Sequence, residues 1–372
     1  MAGSAQDQRF MAAALRLSRW NAGRTATNPS VACLIVRDGV IIAKAVTAPS
    51  GRPHAETQAL ALAGERARGA TAYVTLEPCS HHGKTPPCTD ALIASGIARV
   101  VVCLTDPDER VSGRGLEILL EAGITVETGV LAKEGERALE AYLMRQRSKR
   151  PHVTLKLAVS ADGMVGRVDE GQVKITGPVA RAQVQILRAQ MDAILVGIGT
   201  ARADDPELTV RLAGLESRSP IRIVLDRDLR LPLDGRLVAT ARSVPVIVVA
   251  GEDNSLENDP ATDREGFVAR RAALEAAGVE ILHCETRRLE DLLMALATRG
   301  ISSLLVEGGA TVAQSFLDAH LVDRLLLFSG PDSVGEGGIR SPASPDLLPP
   351  GFELVRQDDF GSDVCRDYER DV

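Results

Sequence analysis

Aromatic side chains are scarce in this sequence: Phe, Trp and Tyr make up 3% of 372 residues. Stacking on bases needs such rings, and binding a phosphate backbone needs a basic face. The chain instead carries a formal net charge of -7. Both shortages argue against a nucleic-acid partner. No apolar run approaches the roughly 18 residues that cross a bilayer, so no membrane segment is expected. Cys33, Cys79, Cys88, Cys103, Cys284 and Cys365 are too few and too scattered for a disulfide framework. They read as reduced thiols available for metal ligation. The opening stretch MAGSAQDQRFMAAALRLSRW places Asp7 and Arg16 inside a helical pattern and lacks a signal-peptide layout. A cytoplasmic protein is expected.

Hydrophobic residues reach 45%, enough for sizeable cores, and the length suggests roughly two or three domains. Phe10, Ala14, Leu17 and Trp20 recur at helical spacing, predicting an amphipathic helix over 7–20. SVACLIVRDGVIIAKAV predicts two strands turning at Asp38-Gly39. A helix over 54–68, strands over 71–76 and 99–104, a helix over 88–96, and a helix and strand in GRGLEILLEAGITVE follow. Such alternation predicts an α/β layer fold. The basic run RQRSKRP reads as a solvated linker between domains 1–147 and 151–372. Beyond it, HVTLKLAVS, DAILVGIG, IRIVLD, VPVIVVA, VEILHC, SSLLVEGG and DRLLLFSG read as strands, GEDNSLENDPATDREG as an exposed loop, and 352–372 as terminal strands.

Reactive side chains crowd into VTLEPCSHHGKTPPCTDAL, preceded by GRPHAETQALALAG. His54 opens a helix, and Cys79 and Cys88 flank a proline-rich loop. One His and two thiolates suit a catalytic zinc, whose fourth position stays open to water. Glu56 is the type of group that moves a proton from such a water to a leaving amine. Nucleobase deaminases use H-x-E followed by P-C-x-x-C; here eight residues separate the cysteines. Gly83-Lys84-Thr85 is not a phosphate loop, because Pro78 stands where that motif needs glycine. In the second half, Gly197-x-Gly199 is only a fragment of a dinucleotide fingerprint. VEGGATVAQSFL reads as strand, glycine pair and helix, with Thr311 expected to cap the helix start. A phosphate suits that start, and Arg188, Arg202 and Arg211 add cations.

NPSVACLIV, GRPHAETQAL, the cysteine-bearing loop and DPDERVSGRGLEILLEAGI resemble the deaminase half of the bifunctional riboflavin biosynthesis deaminase/reductases. LKLAVSADGMV, ITGPVARAQVQILRAQMDAILVGIGTARADDPELTVR and VEGGATVAQSFL resemble the reductase half. The resemblance implies a cytidine-deaminase-like three-layer domain followed by a dihydrofolate-reductase-like domain. Zn2+ and NADPH are the implied cofactors, a diaminopyrimidine ribosylamine phosphate the implied substrate, and a homo-oligomer formed through the reductase half the implied assembly. It implies zinc on His54, Cys79 and Cys88, proton shuttling by Glu56, and substrate contacts at Asn28, His81 and Lys84. For the reductase it implies NADP contacts at Val159, Thr200, Asp204, Gly309, Ala310, Thr311, Val312, Ala313, Gln314 and Ser315. Substrate contacts fall at Arg188, Leu208, Arg211 and Glu307, and Lys156 lies near the reacting centre.

The sequence departs from the family at several points. Gln172 and Lys174 occupy a substrate-contacting and a cofactor-contacting position where the family has Ser-x-Trp, and Arg227 replaces a cofactor-contacting Ser. Lys174 cannot stack like an indole but can pair with phosphate, and Arg227 suits the extra phosphate of NADPH. Ala32, Ala43 and Ala45 replace common glycines and are expected to have ordinary φ. Two rival readings are a stand-alone zinc deaminase with a degenerate second domain, and a non-enzymatic zinc module with His81 as a fourth ligand.

Overall fold

The computed structural model describes residues 3–81, 86–108, 112–168, 170–251, 264–284 and 288–370. The chain divides into two compact units, Met1–Lys149 and Arg150–Val372. The stretch read as an exposed loop falls mostly outside the described residues.

The first unit is built on β1 (Ala32–Arg37), β2 (Val40–Val46), β3 (Thr71–Leu76), β4 (Arg99–Leu104) and β5 (Thr125–Thr128), in the order β2-β1-β3-β4-β5. The Asp38-Gly39 turn joins β1 and β2 as an antiparallel hairpin; β3, β4 and β5 run parallel. β1, β3 and β4 are buried almost throughout, which is why they read as continuous apolar runs. Ala32, Ala43 and Ala45 have ordinary strand φ values, as expected. The opening helix spans Ala5–Ser18 and begins with a Ser4–Asp7 capping box. Phe10, Met11 and Ala14 are buried, but Trp20 is 66% exposed. The chain tightens into a 3-10 turn over Arg19–Asn21, which rotates position 20 off the apolar stripe.

The linker reading of the basic run is corrected. Arg145 and Arg147 lie in the helix Glu140–Ser148, anchored by buried Tyr142 and Leu143. Arg150 forks onto Asp323 at 2.7 Å through both terminal nitrogens. The segment is ordered because one helical face buries apolar surface while the charges occupy other faces.

The second unit holds β6 (His152–Val159), β8 (Ala193–Gly197), β9 (Ile221–Leu225), β10 (Val246–Ala250), β11 (Glu280–His283), β12 (Ser303–Val306) and β13 (Arg324–Ser329), all running parallel. β15 (Phe352–Phe360) and β16 (Asp363–Arg370) extend this nine-stranded sheet antiparallel, in the order β11-β10-β9-β8-β12-β6-β13-β16-β15. A separate pair, β7 (Met164–Arg167) and β14 (Gly338–Arg340), has no counterpart among the expected strands. Alternate residues feed two cores: Leu304 and Val306 join the helices Leu289–Thr298 and Ala310–Asp318, while Leu305 joins Pro178–Arg188 and Arg264–Ala277. Both faces of the sheet are therefore covered, so its central strands show no polar alternation.

Candidate active sites

In the first unit, the segment leading into β1, the end of β3 and the start of the helix Ala55–Ala63 line one cleft of about 260 Å³. His54 is the extended residue just before that helix. Its Nδ1 lies 3.6 Å from the Cys79 sulfur and 3.4 Å from the Cys88 sulfur. Cys88 opens the helix Cys88–Ala94, and its backbone N–H donates to the Cys79 sulfur at 3.3 Å. The three donor atoms lie within 4.8 Å of one another. Hydrogen bonds from Cys88, with the nearby His54, hold the Cys79 thiol down at about 4 against the effect of burial; a helix start favours a thiolate for the same reason. One imidazole nitrogen and two sulfurs in this grouping fit a zinc ion.

Glu56 sits in the first turn of the helix, 3% exposed, and its Oε2 has no partner among the described residues. Burial, then the Cys79 thiolate, push its carboxyl up to about 7. A sequestered carboxylate with a spare lone pair beside three metal donors is equipped to take and return a proton. Asn28 and His81 line the same cleft. Gly51, at φ 87, leaves room for Asn28: a Cβ there would stand 2.2 Å from Asn28 Nδ2. Lys84 lies outside the described residues.

Sequence reasoning missed Arg52, Glu77, Asp106, Asp108, Tyr142 and Arg145, which also line the cleft. Glu77 organises it by accepting N–H groups of Asp106, Gly113 and Gly115 at 3.2, 3.0 and 3.0 Å. The one available signal was the spacing of Tyr142, Arg145 and Gln146, which puts them on one helical face.

In the second unit the expected residues gather at the carboxyl ends of parallel strands, where open α/β sheets bind ligands. Val159 ends β6, Gly197 ends β8, Arg227 follows β9, and Glu307 to Gly309 follow β12. Arg188 forks onto Glu307, Nε to Oε1 at 2.7 Å and Nη2 to Oε2 at 3.0 Å. Burial and then the Arg188 charge lower the Lys156 ammonium, while Glu307 acts the other way. The Gly309 N–H donates to Thr200 Oγ1 at 3.0 Å. A Cβ on Gly308 would stand 2.8 Å from Val312, so backbone and helix approach closely. The helix Ala310–Asp318 has no side-chain cap among the described residues. Its start therefore leaves N–H groups facing outward, a cradle that fits the phosphates of NADPH.

Thr311 does not cap this helix; Gly309 holds the cap position, and the Thr311 carbonyl accepts from Ser315 Oγ at 2.9 Å. Glycine suits the cap because a Cβ on Gly309 would stand 3.0 Å from Thr200 Oγ1. Val159, Leu208 and Ala313 have buried side chains within the cores, which leaves their backbone as the part open to a ligand. Gln314 donates to Asp318 at 2.7 Å. Asp204 is half-buried, with its carboxyl raised by burial, whereas Arg211 is exposed. Gln172 and Lys174 are exposed in the segment before the helix Pro178–Arg188, and Lys174 lines a small cleft with Ser160, Arg167 and Asp332.

No helix among the described residues is long and apolar enough to cross a membrane. Residues 4–104 match the cytidine and deoxycytidylate deaminase zinc-binding region, and residues 151–366 match the RibD C-terminal domain. The riboflavin biosynthesis protein RibD of Escherichia coli is 40% identical over 97% of this chain and 98% of its own. That of Aquifex aeolicus is 38% identical over 90% and 91%. The solved structure of Acinetobacter baumannii RibD superposes with a TM-score of 0.84, at 33% identity and covering 99% of both chains. The Thermotoga maritima deaminase/reductase superposes at 0.83, with 34% identity, covering 98% of this chain and 99% of its own. Two family matches in this order, with full-length relatives, support the bifunctional reading over a degenerate second half: the chain belongs to the RibD family of bifunctional, zinc- and NADPH-dependent deaminase/reductases of riboflavin biosynthesis.

Proposed function

We propose that residues 1–147 deaminate a 2,5-diamino-6-ribosylamino-pyrimidinone 5′-phosphate and that residues 151–372 reduce the ribosyl chain of the product to ribityl. The observation that carries this reading is the buried Oε2 of Glu56, without a partner among the described residues, beside His54, Cys79 and Cys88. His54, Cys79 and Cys88 would hold the zinc. When bound, zinc lowers the pKa of water at its open position and so supplies a nucleophile at neutral pH. Glu56 takes the proton of the attacking water and returns it to the departing ammonia. Asn28, His81 and Lys84 orient the substrate.

In the second unit, Thr200, Asp204, Arg227, Lys174 and the backbone from Gly309 to Ser315 would hold NADPH, with Val159 beside it; the cofactor supplies the hydride. Gln172, Arg188, Leu208, Arg211 and Glu307 position the sugar chain, and Lys156 stands nearest the reacting carbon. The Arg188–Glu307 pair fixes both groups before substrate arrives, so little ordering is left to binding. The protein acts in the cytoplasm as a homo-oligomer assembled through the second unit. Mass spectrometry of the ribosylamine phosphate incubated with the protein tests the order of steps. Exchange of an amine for an oxygen is expected with or without NADPH, and a gain of two hydrogens only with it. Deamination alone would refute the reductase assignment, and no change at all would refute the substrate.

A further inference from the structure

The deaminase-region match ends at residue 104, but the cleft that holds His54 and Glu56 does not. Asp106, Asp108, Tyr142, Arg145 and Gln146 also line it. One wall is thus added to the shared zinc chemistry, and added walls decide which substrate enters. Tyr142, Arg145 and Gln146 lie on one face of the helix Glu140–Ser148. The Tyr142 hydroxyl donates to both oxygens of Asp106, at 2.9 and 3.1 Å, which ties this helix to the segment following β4.

Arg145 is held at the cleft by this tie. One of its terminal nitrogens donates to the Thr27 carbonyl, and its buried Nε has no partner among the described residues. The other charges lining the cleft are mostly acidic: Glu56, Glu77, Asp106 and Asp108, with Arg52 a second cation. Glu77 is occupied by three backbone N–H groups and Asp106 by Tyr142. A phosphate entering among these carboxylates needs a fixed cation with N–H donors to spare, and a guanidinium supplies a fork of them.

We infer that Arg145 binds the 5′-phosphate of the deaminase substrate and makes the site prefer a ribotide over the corresponding riboside. This inference rests on the pyrimidine ribotide reading of the same site.

The test is steady-state deamination by the full-length protein, using the ribosylamine 5′-phosphate and its dephosphorylated counterpart. Wild type, Arg145→Met and Arg145→Lys are compared. Loss of charge-assisted bonds to phosphate predicts a KM for the ribotide about tenfold to a hundredfold higher in Arg145→Met, with kcat little changed. The riboside KM stays at the wild-type value, and Arg145→Lys recovers part of the difference. Bound zinc and reductase turnover stay normal in both variants. Equal losses on both substrates would make Arg145 a strut for the Thr27 loop, and no loss on either would remove it from recognition; each overturns the inference. If Arg145→Met fails to fold, inhibition of the wild type by ribose 5-phosphate and by ribose decides, and equal potency overturns it. A wild type that does not deaminate the ribotide strikes the underlying reading instead.

Discussion

Cutting the Arg188–Glu307 pair on one side or the other should have unequal effects. Both side chains are largely buried, 11% and 9% exposed, and joined by two hydrogen bonds. At an effective dielectric of about 20, unit charges about 3 Å apart attract by about 5 kcal/mol. Desolvation offsets much of this in the intact pair, so the net worth of the pair is small. Removing one partner is different, because it leaves an uncompensated buried charge at a cost of about 3–5 kcal/mol. Burial raises the Glu307 carboxyl, but Arg188, then Lys156 and Arg211, together hold it below its ordinary value. In Arg188→Met, Lys156 and Arg211 remain to compensate Glu307. In Glu307→Gln, Arg188 keeps its buried charge without this partner, and Lys156 loses the carboxylate that opposes the lowering of its ammonium. Glu307→Gln should therefore sit at the upper end, about 4–5 kcal/mol, and Arg188→Met nearer about 2–3 kcal/mol. The Arg188→Met/Glu307→Gln double variant should cost less than the two single changes added together. Denaturant-dependent hydrogen exchange at the Leu305 and Val306 amides of β12 reads these values within the full chain. A cost below about 1 kcal/mol for both, or a larger cost for Arg188→Met, would refute the reasoning.

Glu56→Gln keeps the shape of the side chain and the three metal donors. It should retain zinc by elemental analysis while losing about 10²–10⁴-fold in deamination rate, with NADPH-dependent reduction of the deaminated substrate unaffected. Wild-type turnover in this variant would sink the role of Glu56. Cys79→Ser replaces one of three soft donors and should lose most of the bound zinc together with deamination; a fully metallated variant would show that Cys79 is not a ligand. Asp7 accepts from Arg99 at 2.7 and 3.0 Å and from Tyr73 at 2.8 Å, and the Arg99 bonds hold its carboxyl far below the ordinary range. Its folded pKa lies below its unfolded one. The stability it contributes is thus complete above about pH 4 to 5 and is lost as pH falls toward the folded value. Asp7→Asn should lower the melting temperature at neutral pH and flatten its fall in acid; an unchanged acid limb would contradict the ion-pair account.

The central strands of the two large sheets were legible because burial on two faces writes them as unbroken apolar runs, and β3 and β4 end where those runs end. The zinc donors were legible because metal chemistry restricts residue type and spacing. Trp20 was misplaced because periodicity assumes one helical pitch, and the chain changes pitch at Arg19. Thr311 was taken as a cap from residue type, whereas the helix starts one residue earlier and Gly309, close against Thr200, holds the cap position. The pair β7 and β14 escaped notice because its strands are short and half-buried, so neither has an apolar face to advertise.

The illegible part of the candidate deaminase site follows from the same physics. Arg145 opens a stretch whose charge density suggests solvent, and only tertiary contacts such as that of Tyr142 turn it toward the cleft. A metal ligand must be a particular atom type, so sequence betrays it. A group that recognises substrate needs only to arrive at the right place, and many chain paths deliver a guanidinium there. Tyr142 shows how that place is fixed: its hydroxyl on Asp106 joins a helix to a strand end 36 residues earlier. Catalytic identity is therefore concentrated in short local patterns such as His54 to Glu56. Substrate preference is spread over residues that become neighbours only on folding, and those neighbours have to be found in the structure.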